Sequence, residues 1–208
     1  MITLFAEHLW DSPFVYTVLV ALEEKRAPYR LEVLNLAQGQ QRAAAYQSAS
    51  LTARVPAILH DGFWLSESSA IIEYLEGVFP VPALLPADLK ERARARQILA
   101  WLRSDLHALR RDRSTETMFY ARATEPLSAA GQADADKLVR IASELLGGGR
   151  QYIFADFGIA DADLAFMLGR LHLNGDPLPE AIARYVERVW QRPSVQVFVS
   201  QPRPATPR

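Results

Sequence analysis

Two hydrophobic periods run along this chain, and they divide it. Ile2–Phe5 is a short β-prone run. Val15, Val18, Leu19 and Leu22 then recur at i, i+3, i+4 and i+7, the spacing of a helix face. Ser12-Pro13 opens that helix, since serine is a favoured N-cap and proline fits the first helical position, and the pattern runs to Lys25. Tyr29–Leu36 alternates as a strand does. A shorter helix is expected around Gln41–Gln47, followed by strands over 56–60 and 63–66 that Asp61-Gly62 joins as a hairpin. Ala70, Ile71, Tyr74 and Leu75 give the next helix one apolar face. The order is βαβ, then αββα. A strand–helix–strand crossover implies a parallel pair and the hairpin an antiparallel one, so a small mixed sheet covered by helices is expected.

Beyond residue 80 the strand period disappears. Residues 79–88 carry three prolines and read as a connection. A long helix is predicted over Asp88–Arg111, with Ile98, Trp101, Leu102, Leu106 and Leu109 on one side. Gln132–Leu146 repeats the pattern and Gly147-Gly148-Gly149 ends it. Ile159–Leu173 and Pro179–Trp190 are two more helices, with a short last one at Val195–Val199. The division is an α/β domain over 1–81, a linker at 82–88, an all-α helical-bundle domain over 89–200 and a flexible tail at 201–208.

Composition narrows the chemistry. Half of the 208 residues are hydrophobic and the formal net charge is −1, so a packed core is expected and no nucleic-acid or membrane partner. The arginines of 92–113 are diluted by Glu91, Asp105 and Asp112 and read as a solvated, partly interfacial face. MITLFAEHLWDSPF lacks the character of a signal peptide. Cysteine is absent, which excludes disulfides, thiolate metal sites and a cysteine nucleophile. The four histidines lack metal-ligand spacing, so no metal is expected, and a cytoplasmic location fits.

Three polar constellations stand out. Val55-Pro56 puts a residue that cannot donate a ladder hydrogen bond at a strand start; the plain reading is an edge, the sharper one a cis peptide that turns the Val55 backbone toward an extended ligand. Ser66-Glu67-Ser68-Ser69 caps a helix, and the same free N–H groups and hydroxyls can take a carboxylate while Glu67 takes an ammonium. Ser12 also caps a helix, yet its hydroxyl hydrogen remains free to be donated to a thiolate.

Together these segments resemble a cytosolic glutathione S-transferase. The carriers are Ser12-Pro13, Ala21-Leu22-Glu23-Glu24-Lys25, Val55-Pro56-Ala57-Ile58, Leu65-Ser66-Glu67-Ser68-Ser69-Ala70-Ile71 with Tyr74-Leu75, and Ile159-Ala160-Asp161. Arg94-Ala95-Arg96-Gln97 and Trp101-Leu102-Arg103-Ser104-Asp105-Leu106 resemble a bacterial, stress-linked group associated with peroxide and disulfide reduction as well as conjugation. The resemblance implies a thioredoxin-like βαβαββα N-terminal domain, an all-α C-terminal domain and a homodimer that uses glutathione as co-substrate in detoxification or oxidative stress. It implies a cis Val55–Pro56 bond, with the Val55 backbone paired to the cysteinyl part of glutathione and Glu67 and Ser68 on the γ-glutamyl end. Gln41, with Arg42, and Arg54 would reach the glycyl carboxylate, and Ser12, with Tyr16 as its rival, would face the sulfur. Trp10, Phe14 and Phe119 are candidates to line an apolar second-substrate pocket, and Asp105 to reach the γ-glutamyl amine across a dimer. Two departures are visible. Ser50-Leu51-Thr52 stands where the family often has Asn-Pro, and Gly158 stands where it has a capping hydroxyl. The same fold also serves non-catalytic interaction modules, in which ligand-binding residues are often lost.

Overall fold

The computed structural model describes residues 1–205. They form two compact units: Met1–Leu84 together with the segment from Pro193 onward, and Leu85–Arg192.

The first unit is built on a four-stranded sheet of order β2-β1-β3-β4. β1 (Ile2–Glu7) leads through α1 (Pro13–Glu24) to β2 (Tyr29–Leu34), and the two strands pair in parallel. A 3-10 turn at Gln40–Arg42 and α2 (Ala44–Ala49) stand where one helix was expected. β3 (Ala57–His60) runs antiparallel to β1, and the hairpin to β4 (Phe63–Ser66) pairs them antiparallel. Asp61 and Gly62 both have positive φ, 50° and 85°, as a tight two-residue hairpin requires. α3 (Ser68–Val78) completes the unit. Its core is aliphatic: Ile2, Leu4, Val18, Leu19, Leu22, Ile58, Ile71 and Leu75 are fully buried.

One buried ion pair secures the end of this unit. Lys25 Nζ lies 2.6 Å from Glu76 Oε1 and donates to the carbonyls of Phe79 at 2.7 Å and Pro82 at 3.0 Å. Glu76 in turn accepts the Leu84 N–H at 2.9 Å. Every polar atom of the lysine head thus meets a partner, the condition for burying a charge. The residues expected as linker are therefore fastened to the first unit as far as Leu84.

The second unit is helical. α4 (Leu89–Ser104) begins at Asp88, whose side chain accepts the N–H groups of Lys90 and Glu91. The single long helix expected over 88–111 is interrupted: Leu106 takes a left-handed conformation with φ 61°, and α5 (His107–Asp112) starts anew. Apolar spacing carries no mark of this break, because Leu102 before it, Leu106 at it and Leu109 after it are all buried. α6 (Thr115–Phe119) was not expected; α7 (Ala129–Leu145), α8 (Ile159–Asn174) and α9 (Glu180–Trp190) were. The arginine stretch is not uniformly solvated. Arg113 is buried and grips Asp176 with two nitrogens at 2.7 and 2.8 Å, and Arg103 pairs with Asp163 at 3.1 Å.

α8 is buried along nearly its whole length, so its start must be satisfied internally. Asp161 does this: its carboxylate accepts the Gly158 N–H at 3.0 Å, the Ile153 N–H at 2.9 Å and the Tyr185 hydroxyl at 2.9 Å. Glycine at the N-cap is thereby compensated from the third helical position.

The final helix, α10 (Pro193–Val199), belongs to the first unit and packs on α1, not with the helical domain to which 89–200 was assigned. Ser194 donates to Glu24 at 2.5 Å. The expected flexible tail is held at Arg203, which bonds several carbonyls; residues 206–208 of that tail lie outside the described residues.

Replacing Asp161 by alanine leaves the buried Gly158 and Ile153 N–H groups unpartnered and the Tyr185 hydroxyl with only its longer bond to the Asp161 carbonyl at 3.3 Å, and should cost about 2–4 kcal/mol, read as a lower denaturation midpoint. Burial raises the Asp161 pKa from 3.8 to about 6. The protonated folded form is thus favoured, and the stability this gives is lost as pH rises through about 6. Denaturation of the wild type and of Asp161→Asn across pH 4 to 7 should show the wild type losing ground steadily over that interval.

Candidate functional site

Strand register gathers the polar segments of the first unit. Phe5 faces Ala57 and Ala57 faces Ser66, so β1 ends where β3 begins and β4 ends. Glu7 faces Leu34, so β2 finishes at that end too. The loops bearing Ser12, Gln41, Arg54–Pro56 and Glu67–Ser68 all leave the sheet from this one end. Thr52 donates to Ser66 at 3.1 Å and Tyr46 donates to the Arg54 carbonyl at 2.7 Å, which ties the loop before β3 to its neighbours. Leu51 and Ala53 in that loop have φ of 59° and 52°.

The Val55–Pro56 peptide is cis. Pro56 is buried and Val55 half-buried. Among the described residues no hydrogen bond engages the Val55 backbone, so its N–H and C=O are available to an extended peptide. Glu67 is exposed with φ 71° and ψ 113°, a conformation costly for a residue with a side chain. It caps α3 without using its carboxylate, which makes no hydrogen bond or ion pair among the described residues. Ser68 is buried at the first helical position. The opening N–H groups of α3 lack intrahelical acceptors, as at any helix start, and stand beside Glu67. A cation acceptor and an anion donor set are thus adjacent.

Ser12 is the N-cap of α1. Its Oγ accepts the Val15 N–H at 3.3 Å, which leaves the hydroxyl hydrogen to be donated elsewhere. Tyr16, the alternative, is fully buried and packs edge-on against Phe198, so no surface of it reaches a ligand in this conformation. Gln41 is half-buried with Oε1 shielded and unpartnered; Arg42 and Arg54 are exposed.

The remaining candidates scatter. Phe14 beside Ser12 is 37% exposed and offers apolar surface. Trp10 is only 4% exposed and packs edge-on against Phe198, a core position. Phe119 belongs to the other unit and stacks on Trp190. Asp105 is engaged inside the helical unit by Lys137, the Trp101 indole N–H and the Leu106 N–H. The Lys137 ammonium, together with those donors, pulls its pKa down to about 2.

One residue escaped sequence reasoning. Glu7, at the end of β1, is 3% exposed and accepts the backbone N–H groups of Trp10 at 2.5 Å and Ser12 at 3.0 Å. Burial, opposed by those bonds, pushes its pKa up to about 7. A lone acid two residues beyond the expected strand gives no periodic signal, and the strand itself runs on to Glu7. Among the described residues no group of three or more His, Cys, Asp or Glu is arranged to hold a metal ion, and no helix is long and apolar enough to cross a membrane.

Sequence models of the glutathione S-transferase N-terminal and C-terminal domains match residues 11–78 and 88–202. A solved glutathione transferase homolog from Burkholderia gl BGR1, with bound glutathione, is 42% identical with a TM-score of 0.76, over 95% of each chain. Glutathione S-transferase Z2 of Arabidopsis thaliana is 29% identical over 95% of this chain and 91% of its own length. Maleylacetoacetate isomerase of Pseudomonas aeruginosa is 41% identical over a stretch spanning about half of either chain, 48% of this one and 49% of its own. The chain belongs to the glutathione S-transferase family.

Proposed function

We propose that this protein is a glutathione-dependent enzyme that binds the tripeptide at the sheet end described above and lowers the pKa of its thiol with Ser12. The observation that carries the reading is the register that brings an unpaired Val55 backbone, a Glu67 carboxylate free of internal partners and the capped start of α1 to one end of one sheet. The Val55 N–H and C=O pair with the cysteinyl backbone as an added strand would. Glu67 takes the γ-glutamyl ammonium, while Ser68 and the first N–H groups of α3 take its carboxylate. Gln41, Arg42 and Arg54 supply donors for the glycyl carboxylate. The Ser12 hydroxyl and the start of α1 stabilise the thiolate, the nucleophile in every reaction of this class. Phe14 offers apolar surface to the second substrate, and the assembly is a homodimer in the cytoplasm.

The thiolate is either consumed in the reaction or regenerated by it. In conjugation it adds to an electrophile and the adduct is released; peroxide or disulfide reduction consumes a second glutathione instead. In cis–trans isomerisation the thiolate adds to a double bond, the new single bond rotates and the thiolate is expelled. The relatives named for maleylacetoacetate isomerisation favour this last route as the second reading. A non-catalytic binding module is the reading against which both stand; retention of Val55, Pro56, Glu67 and Ser68 argues for the enzyme.

The wild type should be retained on immobilised glutathione. Glu67→Ala should weaken binding by about tenfold to a hundredfold, the loss of a charge-assisted hydrogen bond; equal retention of the two proteins would remove the reading. In Ser12→Ala the thiol of bound glutathione, followed by thiolate absorbance against pH, should titrate about one to two units higher, toward its ordinary value of about 8.5. Assays with an aryl chloride, an organic hydroperoxide and a cis-enedione acid separate the routes. Turnover of the enedione acid without net loss of glutathione identifies isomerisation, and steady consumption with the other two identifies transfer or reduction.

A further inference from the structure

The loop between β1 and α1 is held by two groups that the proposed glutathione contacts do not include. On the strand side is the Glu7 carboxylate, on the N–H groups of Trp10 and Ser12. On the other side is Arg203, far along the chain. Its Nε and Nη2 donate to the Trp10 carbonyl at 3.1 and 2.8 Å. The same guanidinium donates to the carbonyls of Val199 at 2.7 Å, Gln201 at 3.2 Å and Phe198 at 3.3 Å, and lies over the Phe198 ring at 5.6 Å. Phe198 is fully buried and meets Trp10 and Tyr16 edge-on at 6.0 and 5.4 Å.

This arrangement does more than finish a helix. The last carbonyls of α10 need donors, and water or one basic side chain suffices. Here the donor is shared with a loop carbonyl near the other end of the chain. Trp10 has φ 52°, a conformation that a bulky residue adopts only when its surroundings hold it there. Both of its backbone polar groups are engaged by opposite charges, the N–H by Glu7 and the C=O by Arg203. Asp11 and Ser12 follow directly in the chain, and the Ser12 N–H is bound by the same carboxylate. A hydroxyl that stabilises a thiolate must sit within hydrogen-bond reach of sulfur, and a misplacement of about 1 Å can cost about a hundredfold in rate.

We propose that Glu7 and Arg203 are positioning residues that clamp the Trp10–Ser12 loop, so that the C-terminal segment aims the Ser12 hydroxyl at the glutathione sulfur. The aiming role rests on the glutathione reading above. The clamp does not touch the tripeptide; it acts through the backbone of Trp10 and Ser12. The C-terminal segment is thus part of the active machinery although it supplies no ligand contact.

The test uses the full chain and three variants: Arg203→Ala, Arg203→Lys and Glu7→Gln. Glutathione affinity is measured by calorimetry, and the pKa of its bound thiol by thiolate absorbance. In Arg203→Ala the affinity should stay within about threefold, while the thiol pKa rises by about one unit, a tenfold loss of thiolate below the pKa. Arg203→Lys, which keeps the charge but not the fork of donors, should recover part of the shift. A wild type and Ser12→Ala that differ in thiol pKa, beside an Arg203→Ala that matches the wild type, overturn the aiming role and leave the glutathione reading intact. Amide exchange decides the clamp without any ligand. The Trp10 and Ser12 N–H groups should lose protection in Arg203→Ala and Glu7→Gln while the β1–β3 ladder keeps it, and unchanged exchange in Arg203→Ala overturns the clamp. Failure of the wild type to bind glutathione removes the underlying reading, and the aiming role falls with it.

Discussion

The antiparallel pairing of β1 with β3 is the constraint on which the candidate site depends. Phe5 opposite Ala57, and Ala57 opposite Ser66, put three loops from distant parts of the sequence at one end of one sheet. A slip of one residue would turn every side chain of β3 to the wrong face. Ala57 and Ile58 point to opposite faces and have no exposed surface, so a slip would exchange a small and a large side chain between two packed faces. The candidate site is therefore a consequence of core packing: hydrophobic residues set the alignment, and polar residues just beyond them inherit their position.

Those polar residues divide by burial. Lys25, Glu76 and Asp161 are buried and almost fully partnered; each fixes an end or a junction of the fold. Glu67 and the Val55 backbone lack internal partners where water or a ligand can reach them. Folding does not require a carboxylate at an exposed helix cap held at positive φ, nor a strand entry with a free backbone. Both are features that the proposed peptide ligand would use. Glu7 stands between the classes: it is buried like a structural group, yet what it holds is the loop that carries Ser12.

Local chemistry was legible in the sequence and long-range closure was not. Asp61-Gly62, Ser12-Pro13 and the Gly158-to-Asp161 spacing identify their own turns and caps, because each mechanism is complete within four residues. The sequence also separated the strand-bearing segment from the helical one. It did not expose the break at Leu106, where apolar residues continue unbroken through a change in backbone direction. It did not assign α10 to the first unit, because an amphipathic turn does not name the face it covers. Arg203 was counted with a flexible tail for the same reason: its partners are carbonyls, which every residue carries, so no side-chain pattern announces them. The candidate ligand residues are legible only because Val-Pro and Glu-Ser form a recognisable pair at their spacing.

If Ser12 serves the thiolate as proposed, a serine at the start of α1 narrows the chemistry further. With no cysteine in the chain, the protein cannot form a mixed disulfide with glutathione, and every sulfur in a reaction cycle must come from its substrates. A hydroxyl donor stabilises a thiolate without competing with it as a nucleophile. This suits reactions in which the sulfur attacks and leaves again, as well as those in which it stays attached. The burden then falls on the placement of that hydroxyl, since a single hydrogen bond is short-ranged and directional. A loop whose Trp10 N–H is bound by a carboxylate and whose Trp10 carbonyl is bound by a guanidinium would meet that requirement, whereas a cap held by Val15 alone would fix the oxygen at only one point.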